Sequence, residues 1–324
     1  MRRRLEYYVL RTRRLLRQQG PLVAATELWG FLWRHWFLLQ FGWHWFEFNV
    51  VAPRRRALAT IRRVTDWSPT RVEGEGGHVL LFASFDPLGE VQAHVVAQLA
   101  AYHAIGFRTV FVTTSPSFDL RAEAAVRPYC LAALHRRNVG IDFGSWLAAY
   151  EWLHGIPGGA ELLSTADSAL LANDSCYGPF HPMGPFLEHM RAAPEVVYGI
   201  TRSLEIRPYL QSYFLHFGRA LVARGVFRAF MTECVRLLGT KAAVARFLEV
   251  GGSAFLDARG VELRALVDAA VEPARSILAR HDLLDPIRDP AGREFLELGL
   301  TPFHKRSNDR TATPSLTGGC LPIR

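Results

Sequence analysis

The stretch Leu170–Pro179, LLANDSCYGP, restricts what this chain can fold into more than any other. It continues an apolar run, Ser168 to Ala172, that stops abruptly at Asn173, Asp174 and Ser175. A short run that is apolar at nearly every position reads as a strand buried on both faces, as in a parallel sheet covered by helices. Such sheets bind ligands outside the carboxyl ends of their strands, so the polar triplet falls where chemistry is expected. A carboxylate there can help a divalent cation neutralise a diphosphate. The same residue types also begin Asx-turns and cap helices, and spacing alone does not choose between the two uses.

His78–Ser84, HVLLFAS, has the same character and breaks into Phe85, Asp86 and Pro87. Val91, Val95, Val96, Leu99 and Tyr102 then predict a helix closed by Gly106, and Arg108–Thr114 a second strand. Asp86 and Pro87 stand where a dinucleotide-binding unit carries its glycines, which disfavours such a cofactor. Asp86 is placed either to meet a ribose or base, or to cap the helix. Tyr129–Leu134 predicts a third strand, opening into Arg136–Trp146, RRNVGIDFGSW. In that loop Arg137 can grip phosphate in bidentate fashion. Gly140 and Gly144 permit close backbone approach, and a helix from Ser145 to Leu153 turns its N-terminus toward an anion. A tight turn capped by Asp142, with Trp146 in the core, accounts for the same residues. The predicted class is α/β: a mostly parallel, Rossmann-like sheet flanked by helices and preceded by an amphipathic helical region.

The net charge of +8 suggests nucleic acid until it is located. Residues 1–75 hold 14 arginines against six acidic residues, and the remainder is balanced with 24 of each sign. Arg2–Arg4, Arg11, Arg13, Arg14 and Arg17 interleave with apolar residues as a basic amphipathic helix, and no apolar core of a secretory signal follows them. Next, Trp29, Trp33, Trp36 and Trp43 share one helical face. Glu27, Arg34, His35, His44 and Glu47 divide this stretch into pieces too short to span a bilayer. The prediction is a helical region, residues 1–63, lying on the inner-membrane surface, with the protein peripheral on its cytoplasmic face. Packing on the body or against a second copy is the plainer alternative. Nucleic acid is not an expected partner, because its platforms interleave aromatics with bases rather than forming a helix stripe.

Cys130, Cys176, Cys234 and Cys320 are widely separated, which argues against a zinc site or a disulfide framework. Lysine occurs only at 241 and 305. The glycine-rich stretch Val72–Gly77 predicts a boundary, giving residues 1–75 as the interaction region, 76–306 as the body and 307–324 as a disordered tail.

With these motifs in hand, the sequence resembles the rhamnan synthesis protein F family, glycosyltransferase-like proteins of bacterial cell-surface polysaccharide assembly. The likeness runs from about His78 to Arg306. The family's FAHFDP stands here as Phe82–Pro87, and its RxNxGxDFGSW as Arg136–Trp146 with Arg137 taken as the motif's arginine. LLNDSxYGP is present with Ala172 inserted, LQSYFLxF spans Leu210–Phe217, and ExGxPFxKR spans Glu297–Arg306 with one extra residue.

The resemblance implies a GT-A-like nucleotide-sugar fold. It also implies transfer of rhamnose or another deoxyhexose from a nucleotide-diphosphate sugar to a glycan or lipid-linked acceptor. Asn173-Asp174-Ser175 replaces the Asp-x-Asp of familiar GT-A enzymes, which leaves metal dependence open. The expected donor-binding residues are Asp86, Arg137, Asn138, Gly140, Asp142, Asn173 and Asp174, the last also holding Mg2+ or Mn2+. Glu249, in FLEVGG at a helix end, is the expected base alongside Asp142, with a solvated surface residue as the bland reading. Gln211 and Ser212, beginning a strand, are expected to meet acceptor hydroxyls. His216 reads as a core histidine. The competing function is a non-catalytic, membrane-associated scaffold of a polysaccharide assembly complex.

Overall fold

The apolar runs become the middle strands of one sheet. A computed structural model describes residues 42–68, 76–204, 208–281, 286 and 291–305. Its strands are Ile61–Asp66 (β1), His78–Ser84 (β2), Phe107–Thr113 (β3), Cys130–Arg136 (β4), Ser168–Asn173 (β5), Cys176–Tyr177 (β6), Val196–Ser203 (β7), Tyr209–Leu210 (β8), Phe214–Gly218 (β9), Glu262–Asp268 (β10) and His304–Lys305 (β11). The main sheet runs β1-β4-β3-β2-β5-β9-β7-β10, with β8 beside β7, and β11 pairs with β6 separately. β4, β3, β2 and β5 are mutually parallel, β9 is antiparallel to β5 and β7, and β10 is parallel to β7. Every residue of β2 and β5 is buried, as an apolar run between two helical layers requires.

Helices Ala93–Ala104 (α1) and Leu120–Val126 (α2) connect β2 to β3 and β3 to β4. Together with Met183–Arg191 they close a core of Leu80, Phe82, Leu99, Phe111, Leu170 and Tyr198 on one face. Between β4 and β5 the chain reverses direction along the sheet, so right-handed crossovers carry Ile141–Gly155 (α3) and Gly159–Thr165 (α4) to the other face. There Trp146 is fully buried and its ring N–H donates to the Ala172 carbonyl at 2.9 Å. That contact ties the RRNVGIDFGSW helix to the strand bearing Asn173 and Asp174.

The chain divides into two units, residues 1–55 and 56–324. The division precedes the glycine-rich stretch, because β1 is an edge strand of the sheet, antiparallel to β4. Its sequence, IRRVTD, alternates poorly and stays largely exposed, so nothing in its pattern announces a strand. In the first unit, residues 42–46 are helical and lead into Glu47–Val51. Trp43 and Trp45 are more than half exposed, at 59% and 53%. The predicted basic helix, Trp29, Trp33, Trp36, Arg306 and the tail 307–324 lie outside the described residues. Among the described residues no helix is long and apolar enough to cross a membrane.

Candidate active site

From β2 the sheet grows outward through β3 to β4 and then returns to lay β5 on the other side of β2. In open α/β sheets such a reversal marks the place, outside the carboxyl ends of β2 and β5, where ligands bind. Asp174 staples the two strand ends together. Its Oδ2 accepts from the Ser84 hydroxyl and the Phe85 backbone N–H, both at 2.9 Å, while its own N–H donates to the Ala83 carbonyl at 3.2 Å. Asn173 forms the predicted turn and also reaches the neighbouring loop. Its Oδ1 accepts from the Ser175 N–H at 3.0 Å as an Asx-turn, and its Nδ2 donates to Asp142 Oδ2 at 2.8 Å. The two polar loops therefore meet through Asp142 and Asn173.

The loop that delivers Asp142 is held by close packing. α3 begins at Ile141, four residues before the predicted Ser145, so Asp142 lies in its first turn and Gly140 (φ 84) is the cap. A Cβ on Gly144 would stand 2.1 Å from the Val139 carbonyl oxygen, which only glycine permits. Ile141 itself has φ 50, a costly left-handed conformation for a β-branched residue.

Counting back from Asn138 at the motif's spacing places Arg136, not Arg137, in the arginine position, and the geometry agrees. Arg136 is fully buried. It donates to Thr60 Oγ1 at 2.8 Å, to Ser145 Oγ at 3.1 Å and to the Val139 carbonyl. Burial lowers its pKa to about 10. Arg136 is thus the internal brace of the loop, whereas Arg137 and Asn138 are exposed on it.

Three carboxylates share this end of the sheet. Burial, then the charge of Asp174, and further the charge of Glu249 push the Asp142 carboxyl up to about 7, against the opposing Asn173 hydrogen bond and the charge of Lys241. Glu249 is not at a helix end: Lys241–Val244, Ala245–Val250 and Gly251–Asp257 follow one another without a break, and Gly251 and Gly252 lie inside the run. Its Oε1 accepts from Ser212 Oγ at 2.7 Å. Gln211 and Ser212 do not begin a strand but form the turn between β8 and β9. Gln211 Oε1 accepts from Thr201 Oγ1 at 2.6 Å, a bond that fixes the turn to β7.

Asp86 spends its carboxylate on its own turn. Oδ1 accepts from the Leu88 and Glu90 N–H groups at 2.8 and 3.2 Å, and Oδ2 from Gln92 Nε2 at 3.0 Å. Ser84 falls within the Phe82–Pro87 motif without being singled out by it, and His94 and Lys241 belong to none of the motifs. His94 Nε2 lies 3.3 Å from the Asp174 carbonyl oxygen, and its ring meets Tyr177 edge-on. Among the described residues, no three His, Cys, Asp or Glu side chains are grouped to hold a metal ion.

The model of rhamnan synthesis protein F matches residues 110–283, from the middle of β3 past β10 and just over half of the chain. The chain belongs to the rhamnan synthesis protein F family. The curated proteins yield no significant match. Membership in the rhamnan synthesis protein F family ties the chain to rhamnan and polysaccharide synthesis, and the match includes Arg136–Trp146, Leu170–Pro179 and Glu249.

Proposed function

We propose that this rhamnan synthesis protein F member is a glycosyltransferase with a GT-A-like domain. It moves rhamnose or another deoxyhexose from a nucleotide-diphosphate donor to a glycan or lipid-linked acceptor. The observation that carries this reading is the hydrogen bond from Asn173, the neighbour of Asp174, to Asp142, which joins the two polar loops at the switch point of the sheet. A nucleotide sugar needs a site for its nucleoside, compensation of its departing diphosphate, and a base for the acceptor hydroxyl. Asn138, Asn173 and Asp142 are assigned to the nucleoside and sugar, with Gly140 letting the backbone come close. Arg137 is exposed on the loop and available to phosphate.

Asp174 is assigned to the diphosphate side. Mg2+ or Mn2+ would be held by the single carboxylate of Asp174, since among the described residues no three His, Cys, Asp or Glu side chains are grouped to form a protein cage. When bound, such an ion would supply positive charge opposite the leaving group. Glu249 is the assigned base: it accepts the acceptor's proton as that oxygen bonds to the sugar carbon and the bond to the diphosphate breaks. Ser212, hydrogen-bonded to Glu249, orients it, and Gln211 lies beside it on the acceptor turn.

The exposed Trp43, Trp45 and Phe46 support placement of residues 1–63 on the anionic inner-membrane surface, at its cytoplasmic face. The same feature favours the second reading, a non-catalytic scaffold of a polysaccharide assembly complex. Calorimetric titration of the full chain with UDP, GDP and dTDP separates the two. The transferase binds one of them and loses it in Asp174→Ala, whereas a scaffold gives no heat with any. Sedimentation with phosphatidylglycerol vesicles, for wild type and a Trp43→Ser/Trp45→Ser variant, tests the surface placement.

A further inference from the structure

All but two of the 38 basic residues of this chain are arginines, and the fold brings both exceptions to the same end of the sheet. Lys305 lies on β11 opposite Cys176, two residues beyond Asp174. Lys241 opens the helical run that carries Glu249. That run is anchored where it begins. Thr240 caps it by accepting from the Ala243 N–H at 3.2 Å, and its first turn packs against α3. Just before it, Leu237 closes on the donor loop: a Cβ at Gly140 or at Gly144 would come within 3.0 Å of its side chain. Lys241 is exposed, and its charge reaches Asp142, the centre of the carboxylate group.

A diphosphate approaching this end of the sheet meets the acidic side chains of Asp174 and Glu249, whose charges already act on Asp142. Arg136, the nearest buried cation of the loop, already donates to Thr60, Ser145 and Val139. We propose that Lys241 is a donor-binding residue whose ammonium group contacts the diphosphate oxygens of the nucleotide sugar, and that arginine cannot replace it. This rests on the glycosyltransferase reading above. The reason for lysine is geometric. A guanidinium spreads its charge over a planar fork suited to bidentate pairing with carboxylates, whereas an ammonium is a compact point charge on a flexible stem, and among the described residues Lys241 forms no ion pair that would hold it from phosphate.

With two lysines and one α-amino group, amine-directed labelling is confined to three sites. The full chain is acetylated with and without saturating UDP, GDP or dTDP and read by peptide mass spectrometry. Nucleotide is expected to slow labelling at Lys241 several-fold and leave the α-amino group unchanged. In calorimetry, Lys241→Ala and Lys241→Arg are each expected to weaken binding by about tenfold or more. Their melting temperatures should stay at the wild-type value, since the side chain is exposed. Wild-type affinity in Lys241→Arg overturns the requirement for an ammonium group, and unaltered affinity in Lys241→Ala with unprotected Lys241 overturns the contact altogether. Both leave the glycosyltransferase reading standing. Absence of binding by the wild-type chain removes that reading and this inference together.

Discussion

The two ends of β2 and β5 are built from opposite chemistry. At the carboxyl ends, Ser84, Asn173 and Asp174 gather carboxylates whose hydrogen bonds run between loops. Near the amino ends the polar groups are histidines. His78 Nδ1 pairs with Ser168 Oγ at 2.8 Å, its Nε2 meets Arg191, and His216 on β9 is fully buried with no hydrogen-bond partner for either ring nitrogen. Burial, helped by Arg191, lowers His78 to about 4, and burial, helped by His78 and Arg191, lowers His216 to about 3. The same desolvation that raises Asp142 depresses these bases, because in both cases it disfavours the charged form. One end holds acids that link two loops, and the other holds buried bases inside the sheet. Substitutions should therefore strike activity at the first end and stability at the second.

The hardest test of that contrast is Asp174→Asn. The amide oxygen can still accept from Ser84 and Phe85, so the fold should hold, while sugar transfer falls by about 10²–10³-fold. Unchanged turnover would break the comparison at once. Arg136→Ala sharpens it from within the loop. Losing three hydrogen bonds from a buried cation should cost about 3 kcal/mol in urea unfolding, whereas Arg137→Ala, at an exposed position, should leave stability within about 0.5 kcal/mol.

Acid unfolding separates the ends by sign. For the two histidines, stability is full above pH 6.5 and is lost as pH falls toward about 4 and about 3, with a slope of about 1.4 kcal/mol per pH unit for each. Asp142 acts oppositely: its contribution is full below pH 3.8 and is lost as pH rises through about 7. Urea titrations between pH 4 and pH 7 on His216→Leu and Asp142→Asn should tilt in opposite directions, and a common tilt would contradict the assignment. A smaller effect than that of Arg136→Ala is expected for His216→Leu at neutral pH. Removing two unpartnered ring nitrogens should stabilise the fold by about 1 kcal/mol without changing transfer.

Much of the sheet was legible in the chain, for a local reason. An apolar run such as HVLLFAS reports burial on both faces without reference to any partner, and observed β2 coincides with it. Glycines 140 and 144 likewise announced close approach, since no other residue tolerates it. Motif spacing was less safe where two arginines adjoin: nothing local distinguishes Arg136 from Arg137, and only the presence of Thr60, Ser145 and Val139 around one of them does.

By itself, then, the sequence determined the α/β class, the central strands, the polar strand ends and the family, because each is written in residues close together along the chain. Tertiary structure decided the rest. It turned β9 antiparallel, made an edge strand of β1, closed Asp86 onto its own turn, and carried Glu249 and Lys241 to strand ends far earlier in the chain. Those outcomes depend on which surfaces meet when the layers pack, and hydrogen bonds between residues tens of positions apart leave no periodicity to read.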